Sequence, residues 1–154
     1  MKTLAFITLF IGGVFLLGCK ENAPTAQNSQ TPPPPGPGTV VLRTGTFSGQ
    51  NSYTCVGMVN ILRDTTSGTE TVRTTQDFRV SGGAGTITVW LTNAAGAVNL
   101  NSTTTKVQLG AITSGFAGVY SFAVPGNNSS SYTHVVAFCQ AAQINFGQAL
   151  LGPP

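Results

Sequence analysis

The chain carries very little charge. Only 7% of its 154 residues are Asp, Glu, Lys or Arg, against roughly 25% in an average soluble domain. The net charge of +3 and the pI near 9.0 reflect a shortage of acids, because the basic residues are scattered and form no concentrated patch. This composition excludes disorder driven by charge repulsion and argues against nucleic-acid binding.

Side chains that build catalytic and metal sites are also scarce. His134 is the only histidine, which within one chain excludes a two-histidine copper site and bis-histidine haem ligation. After residue 38 the acids are Asp64, Glu70 and Asp77, so a paired-carboxylate glycosidase has no positive support. No glycine motif for phosphate binding is present. The inventory therefore gives no indication of an enzyme and names no cofactor.

The N-terminus has the features of an export signal. Lys2 precedes an apolar run over residues 4–17, which is shorter than a typical membrane span. The run ends in Leu16-Leu17-Gly18-Cys19, which resembles the lipobox of bacterial lipoproteins. We therefore predict a signal peptide over residues 1–18 and a membrane anchor made by acyl chains on Cys19. An ordinary secretory signal is the alternative.

Residues 19–38 are predicted to be a disordered, proline-rich tether that starts at the lipidated cysteine. The run Pro32-Pro33-Pro34-Pro35-Gly36-Pro37 favours polyproline II and cannot join a sheet. Such a segment extends about 3.1 Å per residue and acts as a semi-rigid spacer. A ligand for a proline-recognition domain is the alternative. Lys20 differs from the acidic retention signal of some enterobacterial lipoproteins, so the predicted location is the outer membrane of the cell envelope.

The remaining residues, 39–152, have the pattern of short β-strands. Alternation over residues 86–91 places Ile87, Val89 and Leu91 on one face. Further strands are predicted at 40–47, 54–62, 70–80, 107–112, 119–124, 132–140 and 143–150, with turns at 82–85, 93–96 and 125–128. No amphipathic helix of useful length is present. The pattern predicts an all-β domain, an antiparallel β-sandwich or barrel.

Two cysteines remain once Cys19 is lipidated. In an oxidising envelope Cys55 and Cys139 either form a disulfide, which would contribute roughly 4–5 kcal/mol, or stay free for redox work. A hydrolase dyad of Cys139 and His134 would need a bulge, because residues five apart in an unbroken strand face opposite sides. We expect His134 instead to be a strand residue at an edge or a loop end.

Five short motifs follow one another in a family-like order. They are Gly45-Thr46-Phe47, Gly85-Thr86-Ile87-Thr88-Val89-Trp90-Leu91, Leu109-Gly110-Ala111-Ile112 with Gly118-Val119-Tyr120-Ser121-Phe122-Ala123-Val124-Pro125, Val135-Val136-Ala137-Phe138-Cys139, and Phe146-Gly147-Gln148-Ala149-Leu150-Leu151. Together they resemble the DM-thirteen domain, a family named as an electron-transfer domain. The resemblance implies that Cys139 matches the nearly invariant cysteine proposed there for redox work or for binding a prosthetic group.

Two functional hypotheses follow. The first is a lipid-anchored redox or electron-transfer module that uses Cys139 with an envelope redox partner and a cofactor that the sequence does not name. The second is a non-catalytic envelope binding or structural module with a surface ligand, in which Cys55 and Cys139 form a structural disulfide. Rows of Thr and Asn would suit carbohydrate or protein contacts, and they equally suit a solvated strand face.

Overall fold

A computed structural model describes residues 36, 38–81, 86–94, 98–113 and 115–154. The predicted signal peptide, Cys19 and nearly all of the tether lie outside these residues, as do the predicted turn at 82–85 and part of the one at 93–96. Within the described part of the chain, no helix is long and apolar enough to cross a membrane.

The described residues form ten β-strands and two short 3₁₀ turns. The strands are β1 (Thr39–Gly49), β2 (Cys55–Val56), β3 (Met58–Asp64), β4 (Glu70–Thr74), β5 (Arg79–Val80), β6 (Ile87–Thr92), β7 (Lys106–Ile112), β8 (Ser121–Ala123), β9 (His134–Cys139) and β10 (Ile144–Leu150), and the 3₁₀ turns are Pro125–Asn127 and Ser129–Ser131. Eight strands pair in the order β7-β6-β9-β10-β1-β3-β4-β8, while β2 pairs with β5. The large sheet is antiparallel and nearly closed into a barrel, which confirms the predicted fold class.

Two of the predicted strands are each divided in the structure. The segment 54–62 breaks at Gly57, whose φ of 93° suits glycine. Gly57 also lies very close to the backbone of Phe78, since a Cβ at position 57 would be 2.5 Å from Cα of Phe78. The segment 70–80 breaks at a turn closed by the Phe78 amide donating to the Thr75 carbonyl at 3.1 Å. The sequence pattern missed both breaks because the residues on either side favour strands.

Strand β9 is buried on both faces. It lies between β6 and β10, and all six of its residues are buried. Val135, Ala137 and Cys139 face the barrel core, where they meet Ile87, Val89 and Leu91, the three β6 residues predicted to share a face. On the outer face a second apolar cluster contains Val98, Leu100, Val136 and Phe138. Val98 and Leu100, which lie between β6 and β7, therefore cover part of the outside of the barrel.

Strand β10 contains a β-bulge. Asn145 pairs with Phe138 and Gly147 pairs with Ala137, so Phe146 is an extra residue opposite adjacent positions of β9. The bulge resets the alternation of side chains. Asn145 and Gln148 consequently share the outer face, opposite Phe138 and Val136, although they are three residues apart.

Arg43 joins the start of the barrel to its end. Its guanidinium donates to the backbone carbonyls of Ser129, at 3.4 Å, of Tyr132 and of Leu151, at 2.7 Å. These bonds hold strand β1 against the segment before β9 and against the C-terminal residues. The guanidinium and these backbone carbonyls can lie inside the protein because they are hydrogen-bonded to one another.

Phe122 fills the gap between the two edge strands. A Cβ at Gly110 of β7 would lie 2.7 Å from Cδ1 of Phe122 in β8, so the aromatic ring rests directly on the glycine. No ladder hydrogen bond joins β7 to β8 in the described residues. A side-chain contact therefore completes the barrel where the backbone pairing stops.

Gly147→Ala is expected to lower the free energy of unfolding by about 3 kcal/mol, because an added methyl group overpacks the core. The new Cβ would collide with Cβ of Cys55 and lie 2.7 Å from its Sγ and 2.9 Å from the carbonyl oxygen of Ser48. Urea unfolding followed by circular dichroism measures the change. Gly152→Ala is the matched control, since a Cβ there meets no atom within 4 Å. Equal midpoints for both variants would contradict the packing argument.

Candidate functional site

Cys55 and Cys139 are free thiols in the structure, so the disulfide that one hypothesis required is not formed. Both side chains belong to the main apolar core, with 1% and 2% of their surfaces exposed. Cys139 pairs with Ile87 on one side and Ile144 on the other. The two cysteines thus contribute to core packing, as free cysteine commonly does.

Burial also makes Cys55 unreactive. Desolvation raises the pKa of its thiol to about 12. The thiolate is the reactive species of cysteine, and at neutral pH almost none of this thiol is ionised. A thiol that is both ionised rarely and closed off from solvent is a poor redox group.

His134 is the first residue of β9 and is 2% exposed. The prediction that it lies at a loop end is confirmed, but β9 is an interior strand and not an edge. Because β9 pairs with β6 without a bulge, His134 and Cys139 face opposite sides and form no dyad. Its Nδ1 lies 2.8 Å from Oγ1 of Thr133, and burial together with the nearby Arg43 charge lowers the pKa of the imidazole.

In the part of the chain that the structure describes, no group of three or more His, Cys, Asp or Glu side chains is arranged to hold a metal ion.

A polar cleft of about 400 Å³ lies where three loops meet. One loop follows β1, one lies between β6 and β7, and one connects β9 to β10. The cleft is lined by Gln50, Asn51, Val98, Asn99, Asn101, Gln143, Ile144 and Asn145. Six of these eight residues carry a carboxamide and none is charged, so we call this site the carboxamide cleft.

Left-handed backbone conformations shape two of the loops. Asn51 and Ser52 have φ values of 53° and 64°, and the Tyr53 amide donates to the Gln50 carbonyl at 2.9 Å, as in a type I′ turn. Gln143, with a φ of 56°, ends the turn between β9 and β10. Asparagine tolerates this region, whereas glutamine and serine adopt it less often. The unusual turns place Asn51 and Gln143 at the mouth of the cleft.

The bulge in β10 fixes the third loop. The amide of Val98 donates to Oε1 of Gln148 at 2.7 Å, and Nδ2 of Asn145 donates to the carbonyl of Val98 at 2.6 Å. Two outward-facing carboxamides therefore bind both backbone groups of a single residue. The loop is held over the outer face of β9, and its backbone forms one wall of the cleft.

The orientations of the lining carboxamides are determined by their partners. Three side-chain nitrogens donate to backbone carbonyls. Nδ2 of Asn51 donates to the carbonyl of Asn145 at 2.9 Å, and Nδ2 of Asn101 donates to that of Gln143 at 2.7 Å. Nε2 of Gln143 donates to the carbonyl of Gln140 at 2.6 Å. A carbonyl oxygen can only accept, so in each case the nitrogen faces the protein. The orientation of Gln50 is determined by Gln148. The Val98 amide donates to Oε1 of Gln148, so this atom is an acceptor, and Nε2 of Gln50 donates to the same atom at 3.0 Å.

Within the part of the chain that the structure describes, five of the six lining amide oxygens are left without protein partners, while Oδ1 of Asn99 accepts from the Asn101 amide at 3.2 Å. Oε1 of Gln50 and Oδ1 of Asn145 are buried and accept no hydrogen bond, and in the described residues the side-chain oxygens of Asn51, Asn101 and Gln143 accept none either. A buried acceptor without a partner costs about 1–3 kcal/mol. The cleft is therefore electrically neutral and rich in acceptors, and it favours a ligand that supplies hydrogen-bond donors.

Sequence analysis did not identify the carboxamide cleft. Its residues come from three separate segments, and single Asn and Gln residues at turns are usually structural. The one available signal was the abundance of Asn and Thr, which suggested carbohydrate or protein contacts without locating them.

No protein-family model, curated protein or solved structure matches this chain. The DM-thirteen resemblance therefore stays a prediction that rests on the motifs quoted above.

Acidification from about pH 7.5 to about pH 5 is expected to destabilise the protein through His134. The folded state has the lower imidazole pKa, so the unfolded chain binds more protons below its ordinary pKa of about 6.5. Stability is thus lost as the pH falls from that value toward the folded pKa. Urea unfolding midpoints across this range measure the effect. His134→Gln should flatten the dependence, and an unchanged slope in that variant would contradict the assignment.

Proposed function

We propose that the chain is a lipid-anchored protein of the bacterial outer membrane whose β-barrel domain is a non-catalytic binding module. The observation that carries the binding role is the carboxamide cleft, a neutral concave site in which five of the six lining amide oxygens lack protein partners among the described residues. Ligand sites are typically concave, with a few polar groups that fix orientation. The lining residues offer no nucleophile and no acid or base, which fits recognition and not catalysis.

The sequence before the barrel supports the anchoring part of this proposal. The lipobox-like segment ends at Cys19, the first barrel strand begins at Thr39, and the proline-rich run lies between them. Several acyl chains on one cysteine give stable membrane attachment. A proline-rich spacer would hold the cleft away from the lipid headgroups, where an envelope ligand can reach it.

Electron transfer through Cys139 is the second candidate, and it rests on the DM-thirteen resemblance. The structure places both cysteines in one core cluster. Their burial counts against electron transfer, because a redox cysteine needs an accessible thiolate or a bound cofactor. Thiol chemistry distinguishes the two candidates.

In the folded protein neither Cys55 nor Cys139 is expected to react with N-ethylmaleimide, since both thiols lie in the apolar core. After denaturation without a reductant, both should react. Intact mass spectrometry of the purified full-length protein counts the modified thiols. The single variants Cys55→Ala and Cys139→Ala serve as matched controls, and each should lose one label in the denatured sample.

Rapid labelling of Cys139 in the folded protein would contradict its burial and support the redox candidate. Labelling that requires prior reduction would instead show a disulfide between Cys55 and Cys139, which accompanies the non-catalytic module in the second hypothesis.

Cys19→Ala is expected to release the protein from the outer membrane, because the variant lacks the sulfur that carries diacylglycerol. Membrane fractionation with immunoblotting measures the distribution, and the mass of the native protein should include the acyl chains. Cys55→Ala is the control and should remain in the membrane fraction. Equal membrane retention of the Cys19→Ala variant would refute the anchor.

A further inference from the structure

We propose that the carboxamide cleft binds a saccharide, held by hydroxyl groups that donate to the amide oxygens of the exposed residues Asn51, Asn101 and Gln143. This inference rests on the proposed binding role and specifies its ligand class. It depends on the charge of the cleft, on the direction in which its amides point, and on its apolar wall.

The absence of charge from the lining residues selects for a neutral ligand. A phosphate or carboxylate would lose its hydration without gaining a cation, and the loss of solvation for an unpaired ion is large. An acidic ligand would also meet oxygens, since the nitrogens of Asn51, Asn101 and Gln143 already face the protein. A neutral ligand with many polar groups avoids both penalties.

The donor and acceptor pattern favours hydroxyl groups. The exposed side chains of Asn51, Asn101 and Gln143 present oxygens without protein partners in the described part of the chain, whereas the unpaired oxygens of Gln50 and Asn145 are buried out of reach of a ligand. Each amide nitrogen has donated one hydrogen to the protein and keeps a second. A hydroxyl group both donates and accepts, so it can bond an amide oxygen while accepting from a neighbouring N–H.

One further lining residue suits the carbon face of a sugar ring. Ile144 is half-buried and adds apolar surface to the otherwise polar cleft. The buried Val98 is fixed by hydrogen bonds at both its amide and its carbonyl, so the backbone wall of the cleft is preorganised. The volume of about 400 Å³ lies in the range of small-molecule sites.

The test is a nuclear magnetic resonance titration of the ¹⁵N-labelled full-length chain in a detergent without a sugar headgroup. Side-chain carboxamide signals report directly on the proposed contacts. One panel contains glucose, galactose, mannose, N-acetylglucosamine and their β-linked disaccharides. A second panel contains methylammonium and potassium chlorides, which offer a donor or a cation without hydroxyl groups.

At least one saccharide is expected to produce saturable shifts in the side-chain signals of Asn101 and Gln143. The signals of Asn60 and Gln108, which lie outside the cleft, should not move. Gln143→Met should weaken binding by about tenfold, because it removes one acceptor while keeping the side-chain length. Gln108→Met, on an exposed position of β7, is the matched control and should bind like the native protein. If Gln143→Met does not fold, the titration of the native protein decides alone.

The two panels separate failure of this inference from failure of the proposed function. Saturable cleft shifts with methylammonium or potassium, and none with a saccharide, would overturn the ligand class and leave the binding role intact. No saturable shift with either panel would overturn both, and would mean that the unpaired oxygens are satisfied by water.

Discussion

The single extra residue in strand β10 determines how the core, the covering loop and the cleft are arranged. With Phe146 bulged, Gly147 faces the core and leaves room for Cys55, where any side chain would collide. The same shift places Asn145 and Gln148 on the outer face, from which both bind the backbone of Val98. A β-bulge commonly redirects side chains near a functional site. Because one bulge positions both Gly147 in the core and the two carboxamides on the outer face, a change in core packing at this point would also change the outer surface.

The strand content of the domain could be predicted because one face of each strand is apolar. Ile87, Val89 and Leu91 alternate with other residues, and burial makes that alternation necessary. The break at Gly57 could not be predicted, because it depends on a close approach to the backbone of Phe78, which lies far along the chain. Local pattern thus predicts which residues form strands, while tertiary contacts decide where a strand bends.

The candidate site was less accessible to sequence reasoning than the fold. The cysteines attracted attention because of their chemistry and a family resemblance, yet a sequence cannot show that both are buried as free thiols. The carboxamide cleft unites residues from three segments, and the bulge that aligns Asn145 with Gln148 interrupts the alternation on which strand prediction depends. Which atom of an amide faces outward depends on hydrogen bonds that exist only in the folded chain.

Incomplete closure of the barrel also bears on how copies of this protein avoid one another. Strands β7 and β8 end the sheet, and exposed sheet edges invite pairing with other chains. Here the ring of Phe122 rests on Gly110 and keeps the two edges together without backbone pairing. Each edge sterically shields the other, so at high local concentration neither offers a free template for intermolecular sheet growth. This aromatic contact thereby protects the sheet edges, as edge lysines or prolines do in other β proteins.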